Sequence, residues 1–98
     1  MAHLRDELDP ALSNPLRFSL LASLTNVVDM TFKEMRDHLD TTDSTLSKHS
    51  VALEEAGYIR ITKGFSGKMP QTKFAITKSG RTALSHHLAI LNRIANEG

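Results

Sequence analysis

The chain has 98 residues, which suits one domain with a modest core of its own. It has no cysteine, so disulfides, thiolate metal sites, cysteine nucleophiles and thiol switches are excluded. The formal net charge of +1 hides an asymmetry: residues 1–55 hold five Lys/Arg and ten Asp/Glu, whereas residues 56–98 hold seven Lys/Arg and a single acid, Glu97.

In chain order, Leu4 and Leu8 are spaced for one stripe of a short helix over Leu4 to Leu12, which Pro10 must end or kink. Asn14-Pro15 reads as an N-cap followed by proline at the first helical position. Leu16, Leu20, Leu21 and Leu24 then form one helical face, with Asn26 marking its end. Thr31-Phe32-Lys33-Glu34 fits a capping box for a helix of about eight residues. Asp40-Thr41-Thr42-Asp43 has the composition of a turn and cap. Thr42 is the expected N-cap of the next helix, which runs to about Ala56 and closes on Gly57. Leu46 and Leu53 lie on its inner face, while Ser44, Ser47, Lys48, Val51 and Glu55 point away. Two helices joined by a four-residue turn, the second polar outside, make a helix-turn-helix pattern.

The period then changes to two. Ile59 and Ile61 alternate with polar residues, as do Phe74 and Ile76, which predicts two half-buried strands. The stretch 64–71 contains two glycines and a proline and is predicted as a loop. Thr77 caps a final helix to about Asn96, whose apolar arc holds Ala83, Leu84, His87, Leu88, Ile90, Leu91, Ile94 and Ala95. That arc spans roughly 160°, beyond the ~100° stripe that one core requires. A second subunit, or Leu4, Leu8 and Leu12 of the same chain, accounts for the surplus.

The order helix, helix, helix, strand, wing, strand, helix resembles a winged helix-turn-helix domain. The segments Leu8-Asp9-Pro10, Asn14-Pro15-Leu16-Arg17, Leu46-Ser47-Lys48-His49, Leu53-Glu54-Glu55-Ala56-Gly57-Tyr58-Ile59 and Thr77-Lys78-Ser79-Gly80-Arg81 resemble the small single-domain winged-helix regulators related to the MarR and ArsR groups. The resemblance runs from about Leu8 to Leu91. It implies an α+β, mostly helical fold: a three-helix core, a β-hairpin wing and a long C-terminal dimerisation helix. One domain over 1–98 follows, with a core at 13–77 and terminal helices over 1–12 and 78–96. The implied activity is transcriptional regulation by a homodimer on double-stranded DNA; repression is the expected effect, and the sequence does not decide between repression and activation. Three positions depart from the pattern: Ser50 replaces a buried apolar residue, Val51 a polar one, and Asp40 a small residue or glycine.

A recognition helix reads base edges with its N-terminal residues, here Ser44, Thr45, Ser47 and Lys48. Asp43 either caps this helix or accepts from cytosine. His49 is expected as a packed or phosphate-bonded histidine, and Arg17 at phosphate or bonded to the protein itself. Lys68 at the wing tip, with Lys63 and Lys73 on its flanks, is expected on the DNA backbone or minor groove. Leu4, Leu8, Leu84, His87, Leu88, Leu91 and Ile94 are the expected dimer interface.

No metal or cofactor is expected. His86 and His87 are adjacent, about 100° apart on a helix, where a metal pair needs i, i+4 spacing. His3, His38 and His49 are scattered. No nucleophile motif or phosphate-binding glycine loop points to an enzyme. The alternative is a winged-helix module that binds protein, for which Val51 and the Glu54-Glu55 pair speak. Neither the operator nor any small-molecule effector is legible. No apolar run approaches the ~18 residues of a membrane span, and the first residues lack the apolar stretch of a signal peptide. The expected location is therefore the cytoplasm.

Overall fold

A computed structural model describes residues 3–97. The N-terminal segment is not one helix but two 3-10 turns, Leu4–Glu7 and Pro10–Leu12. Leu8 and Asp9 between them are extended, with ψ of 141° and 119°. Pro10 explains the break, because its ring disfavours helical ψ in the residue before it. The Asp9 carboxylate then caps the second turn, accepting from the Ala11 N–H at 2.9 Å.

Helix α1 (Pro15–Ser23) starts as its sequence predicts, with the Asn14 side chain accepting from Leu16 and Arg17 N–H groups. It stops three residues before Asn26. Ser23 and Thr25 hydroxyls donate to the carbonyls of Ser19 and Ala22, and the Leu24 N–H bonds to Leu21, so the last turn tightens and closes. A two-residue strand, β1 (Met30–Thr31), follows and was not expected.

Helix α2 (Phe32–Leu39) carries the full capping box between Thr31 and Glu34. It ends on Asp40 in the left-handed conformation, φ 49° and ψ 55°. Helix α3 (Asp43–Glu55) is capped by Thr42. Its far end is a Schellman closure: the Tyr58 N–H bonds to the Leu53 carbonyl and the Gly57 N–H to Glu54. Gly57 has φ of +82°, which a residue with a Cβ resists.

Strands β2 (Ile59–Ser66) and β3 (Met69–Ile76) pair antiparallel from Ile59↔Ile76 to Ser66↔Met69. The stretch 64–71 is therefore mostly hairpin, not loop. Only Gly67 and Lys68 turn, and Gly67 supplies the positive φ, +62°, that a tight hairpin turn requires. Pro70 fits because β3 has no second neighbour there: β1 reaches only Lys73 and Phe74. The sheet order β1-β3-β2 leaves β2 as an outer strand.

Helix α4 (Lys78–Glu97) begins at Thr77, whose hydroxyl accepts from the Gly80 N–H and donates to the Gly57 carbonyl. A Cβ on Gly80 would lie 2.2 Å from the Tyr58 carbonyl oxygen, so α4 approaches the sheet here only because the residue is glycine. The core gathers Leu20, Leu21 and Leu24 of α1 and its cap, Met35 of α2, Leu46 and Leu53 of α3, Phe74 of β3 and Leu84 of α4. Helices pack on one face of the small sheet, and the hairpin runs beyond them.

Candidate nucleic-acid interface

The inner face of α3 buries Leu46, Ser50 and Leu53, which leaves Ser44, Thr45, Ser47, Lys48 and Val51 exposed. The four candidate base-readers thus share the outer surface of the first two turns. Thr45 is partly engaged: its hydroxyl accepts from Thr42 at 2.9 Å and keeps its own proton to donate. Ser50 is 3% exposed, but its hydroxyl donates to the Ser47 carbonyl at 2.9 Å. The polar replacement in the core is therefore hydrogen-bonded, and α3 stays closed beneath it.

Asp43 neither caps α3 nor stands free for a base. Its carboxylate takes the Arg36 guanidinium at 2.8 Å, a bond that ties α2 to the entry of α3. The ion pairs with Asp43 and then Asp37 hold Arg36 still more firmly in its charged form.

Of the two roles read for Arg17, the structure places it in the second. Its Nε donates to the Ala11 carbonyl at 2.7 Å, one terminal nitrogen to the Pro10 carbonyl, and the other meets His49 Nδ1 at 3.2 Å. Arginine only donates, so His49 Nδ1 accepts and the imidazole proton sits on Nε2. Burial first, then the charges of Arg17 and Lys48, push His49 below the ordinary histidine value. His49 is thus a neutral, oriented donor on α3. A helical wheel could not reveal this, because Arg17 lies outside α3.

The wing lysines do not share a face. Lys63 pairs with Thr72 in the series that carries Ile61 and Phe74 toward the helices. Lys73 pairs with Thr62 on the opposite face, along with Arg60. Lys68 occupies the turn. Phe65 was missed: it continues the alternation Ile59, Ile61, Lys63 and is 75% exposed, a signal hidden by reading 64–71 as loop.

The expected dimer face divides. Leu84 and His87 are buried within one chain, at 5% and 3% exposure. His87 Nδ1 accepts from the Asp9 N–H at 3.1 Å, and its ring lies 5.8 Å from that of Phe18. They belong to the protomer's core and not to an exposed seam, because the N-terminal turns fold back on α4. Leu4, Leu8 and Ile94 are half-buried, whereas Leu88 and Leu91 remain exposed. Leu91 borders an apolar groove of about 330 Å³ with Leu8, Leu12 and Phe18. Among the described residues, no cluster of three His, Asp or Glu forms a metal site.

No curated protein matches the chain. Among solved structures, a transcriptional regulator homologue from Pyrococcus horikoshii OT3 is 25% identical, with a TM-score of 0.83 over 89% of this chain and 86% of that one. The M. tuberculosis transcriptional regulator MOSR, in complex with DNA, is 21% identical with a TM-score of 0.71, covering 96% of this chain and 64% of its own. A MarR family transcriptional regulator from Streptomyces coelicolor, also in complex with DNA, is 24% identical with a TM-score of 0.68, covering 92% and 63%. The chain thus spans about two thirds of the latter two, which share its fold. Residues 16–95 match one family pattern across the helices, the wing and most of α4, and the chain belongs to the winged helix DNA-binding domain family.

Proposed function

We propose that this protein binds double-stranded DNA sequence-specifically as a homodimer and represses transcription in the cytoplasm. Helix α3 enters the major groove, and the wing over residues 63–73 meets the backbone and minor groove. The observation that carries this reading is the juxtaposition of two surfaces. One is the exposed Ser44, Thr45, Ser47 and Lys48 face of α3; the other is a projecting hairpin in a stretch free of acids from Gly57 to Asn96. Membership of a DNA-binding family and the DNA complexes of two fold neighbours support it. Dimerisation is supported by two exposed leucines of a 20-residue helix, Leu91 at the edge of an apolar groove and Leu88 three residues before it. The terminal segments 1–12 and 78–96 would form the interface. Among the described residues no helix is long and apolar enough to cross a membrane.

Selection of bound sites from a randomised duplex pool tests the reading. Paired half-sites about one helical turn apart are expected. The same protein in a salt titration should show log affinity falling linearly with log salt. Val51, 45% exposed, favours the second reading, a protein-binding module. That reading prevails if no duplex is retained at low salt.

A further inference from the structure

The alternation that buries Ile59 and half-buries Ile61 does not stop where the core stops. Lys63 and Phe65 continue on the same face of β2, opposite Thr72 and Pro70 of β3. There the protomer offers no cover: Phe65 is 75% exposed, and Met69, on the other face, 70%. A solvated phenylalanine adds little to the stability of this fold, and near the end of a projecting ribbon its ring is open to an external partner.

The surroundings define that partner. Lys63 lies two residues before Phe65 on the same face, and Lys68 lies in the turn three residues after it. The hairpin itself carries no acid, and the carboxylates that approach it, Glu54 at Ile61 and Asp29 beside Arg60 and Lys73, lie toward its base and away from Phe65. A flat apolar ring between two cations matches a polyanion with apolar planes between its phosphates. A nucleic acid duplex has that pattern. The tip is also narrow, a two-stranded ribbon closed by Gly67 and Lys68 alone.

We propose that Phe65 is a minor-groove wedge. Resting on the DNA-binding reading above, the ring enters between two adjacent base pairs while Lys63 and Lys68 hold flanking phosphates. Partial unstacking kinks the duplex toward the major groove, by roughly 20–90° for side-chain wedges of this kind. Burial of the ring and the closer wrap of DNA around α3 offset the unstacking. Pyrimidine–purine steps unstack most easily, so the wing selects TA or CA/TG steps without hydrogen bonds to base edges.

The test uses the full chain and a duplex recovered from the randomised pool, carrying a fluorescent aminopurine at the step under the wing and a dye pair at its ends. Binding should raise aminopurine emission and end-to-end energy transfer. Phe65→Ala, at an exposed position, should abolish both changes and weaken binding about tenfold with the salt slope unchanged. Phe65→Leu should retain most of the bend, because leucine also wedges. Lys68→Ala should lower the salt slope and leave the aminopurine signal of the bound complex intact. A straight duplex with unchanged aminopurine emission in the wild-type complex overturns the wedge alone. A Phe65→Ala protein that still bends DNA but sediments at a different mass assigns Phe65 to a protein contact and also overturns it. Failure to bind any duplex rejects the DNA-binding reading, and the wedge with it.

Discussion

Asp9 connects three distant parts of the chain through different atoms. One carboxylate oxygen caps Pro10–Leu12, the other accepts from the Tyr58 hydroxyl, and the backbone N–H donates to His87 on α4. The bond to Asp9, then burial, pushes the Tyr58 hydroxyl up to about 12. A raised folded-state value favours folding while the phenol is protonated. That contribution is complete below the unfolded value of about 10 and is lost as pH rises toward 12. Tyr58 is the only tyrosine and there is no tryptophan, so near-ultraviolet tyrosinate absorbance reports it alone. Asp9→Asn should move the titration midpoint down toward the ordinary tyrosine range. An unchanged midpoint would show that burial, and not Asp9, sets it. Asp40 makes the opposite kind of contribution. It holds a left-handed backbone that glycine adopts without strain, so Asp40→Gly should stabilise the fold by about 0.5–1 kcal/mol. In a domain of this size that raises Tm by a few degrees, since 1 kcal/mol corresponds to roughly 4–8 °C. A lowered Tm would refute the strain argument.

At the scale of elements, legibility followed the range of the forces involved. Asn14, Thr31, Thr42 and Gly57 mark helix ends through bonds to residues two to five positions away, and each was readable from its neighbours. The wing was misread because glycine and proline signal a loop on average, whereas here they fit a hairpin whose far end has a free edge. The strand at Met30–Thr31 exists only through pairing with β3, and two residues have no period to detect. Of the candidate site, the outer face of α3 was legible because a helix repeats. The engagement of Arg17 with His49, and of His87 with Asp9, was not, because each bond crosses 32 or more positions of chain. The separation between reading and holding is measurable. Lys68→Ala should weaken all sequences alike and reduce the salt slope by about 0.9 for each wing. Ser47→Ala or Lys48→Ala should instead change preference at one half-site position, by about 1–3 kcal/mol where a bidentate contact is lost. A Lys68→Ala protein with wild-type affinity at every salt concentration would remove the wing from the interface.

At the scale of the molecule, the net charge of +1 is a cancellation between an acidic N-terminal part and a basic strand–wing–helix part. Ten acids in residues 1–55 should limit the affinity of a single chain for DNA of any sequence. Two joined copies gain by engaging half-sites together. The surface that would join them is narrower than a wheel suggests, since α4 already commits Leu84, His87 and Ile90 to its own core. Leu88→Glu combined with Leu91→Glu should therefore leave the thermal melt of the protomer close to wild type. It should also shift sedimentation to the monomer and reduce operator affinity at least tenfold. A double variant that remains dimeric would move the interface elsewhere.

The outer position of β2 has a different implication, for storage and not for recognition. Its free side is a row of backbone donors and acceptors with no neighbouring strand, a template for another hairpin. Near its base the Glu54 carboxylate accepts from the Ile61 N–H at 3.3 Å and covers that donor. Farther out, protection falls to like-charge repulsion from Lys63 and Lys68, which works over a screening length of about 8 Å at physiological salt and less above it. Concentrated protein in high salt should therefore scatter more light with time as hairpins add edge to edge, and Glu54→Ala should hasten this. The lysines proposed to hold DNA at low salt would then be what keeps separate molecules from polymerising.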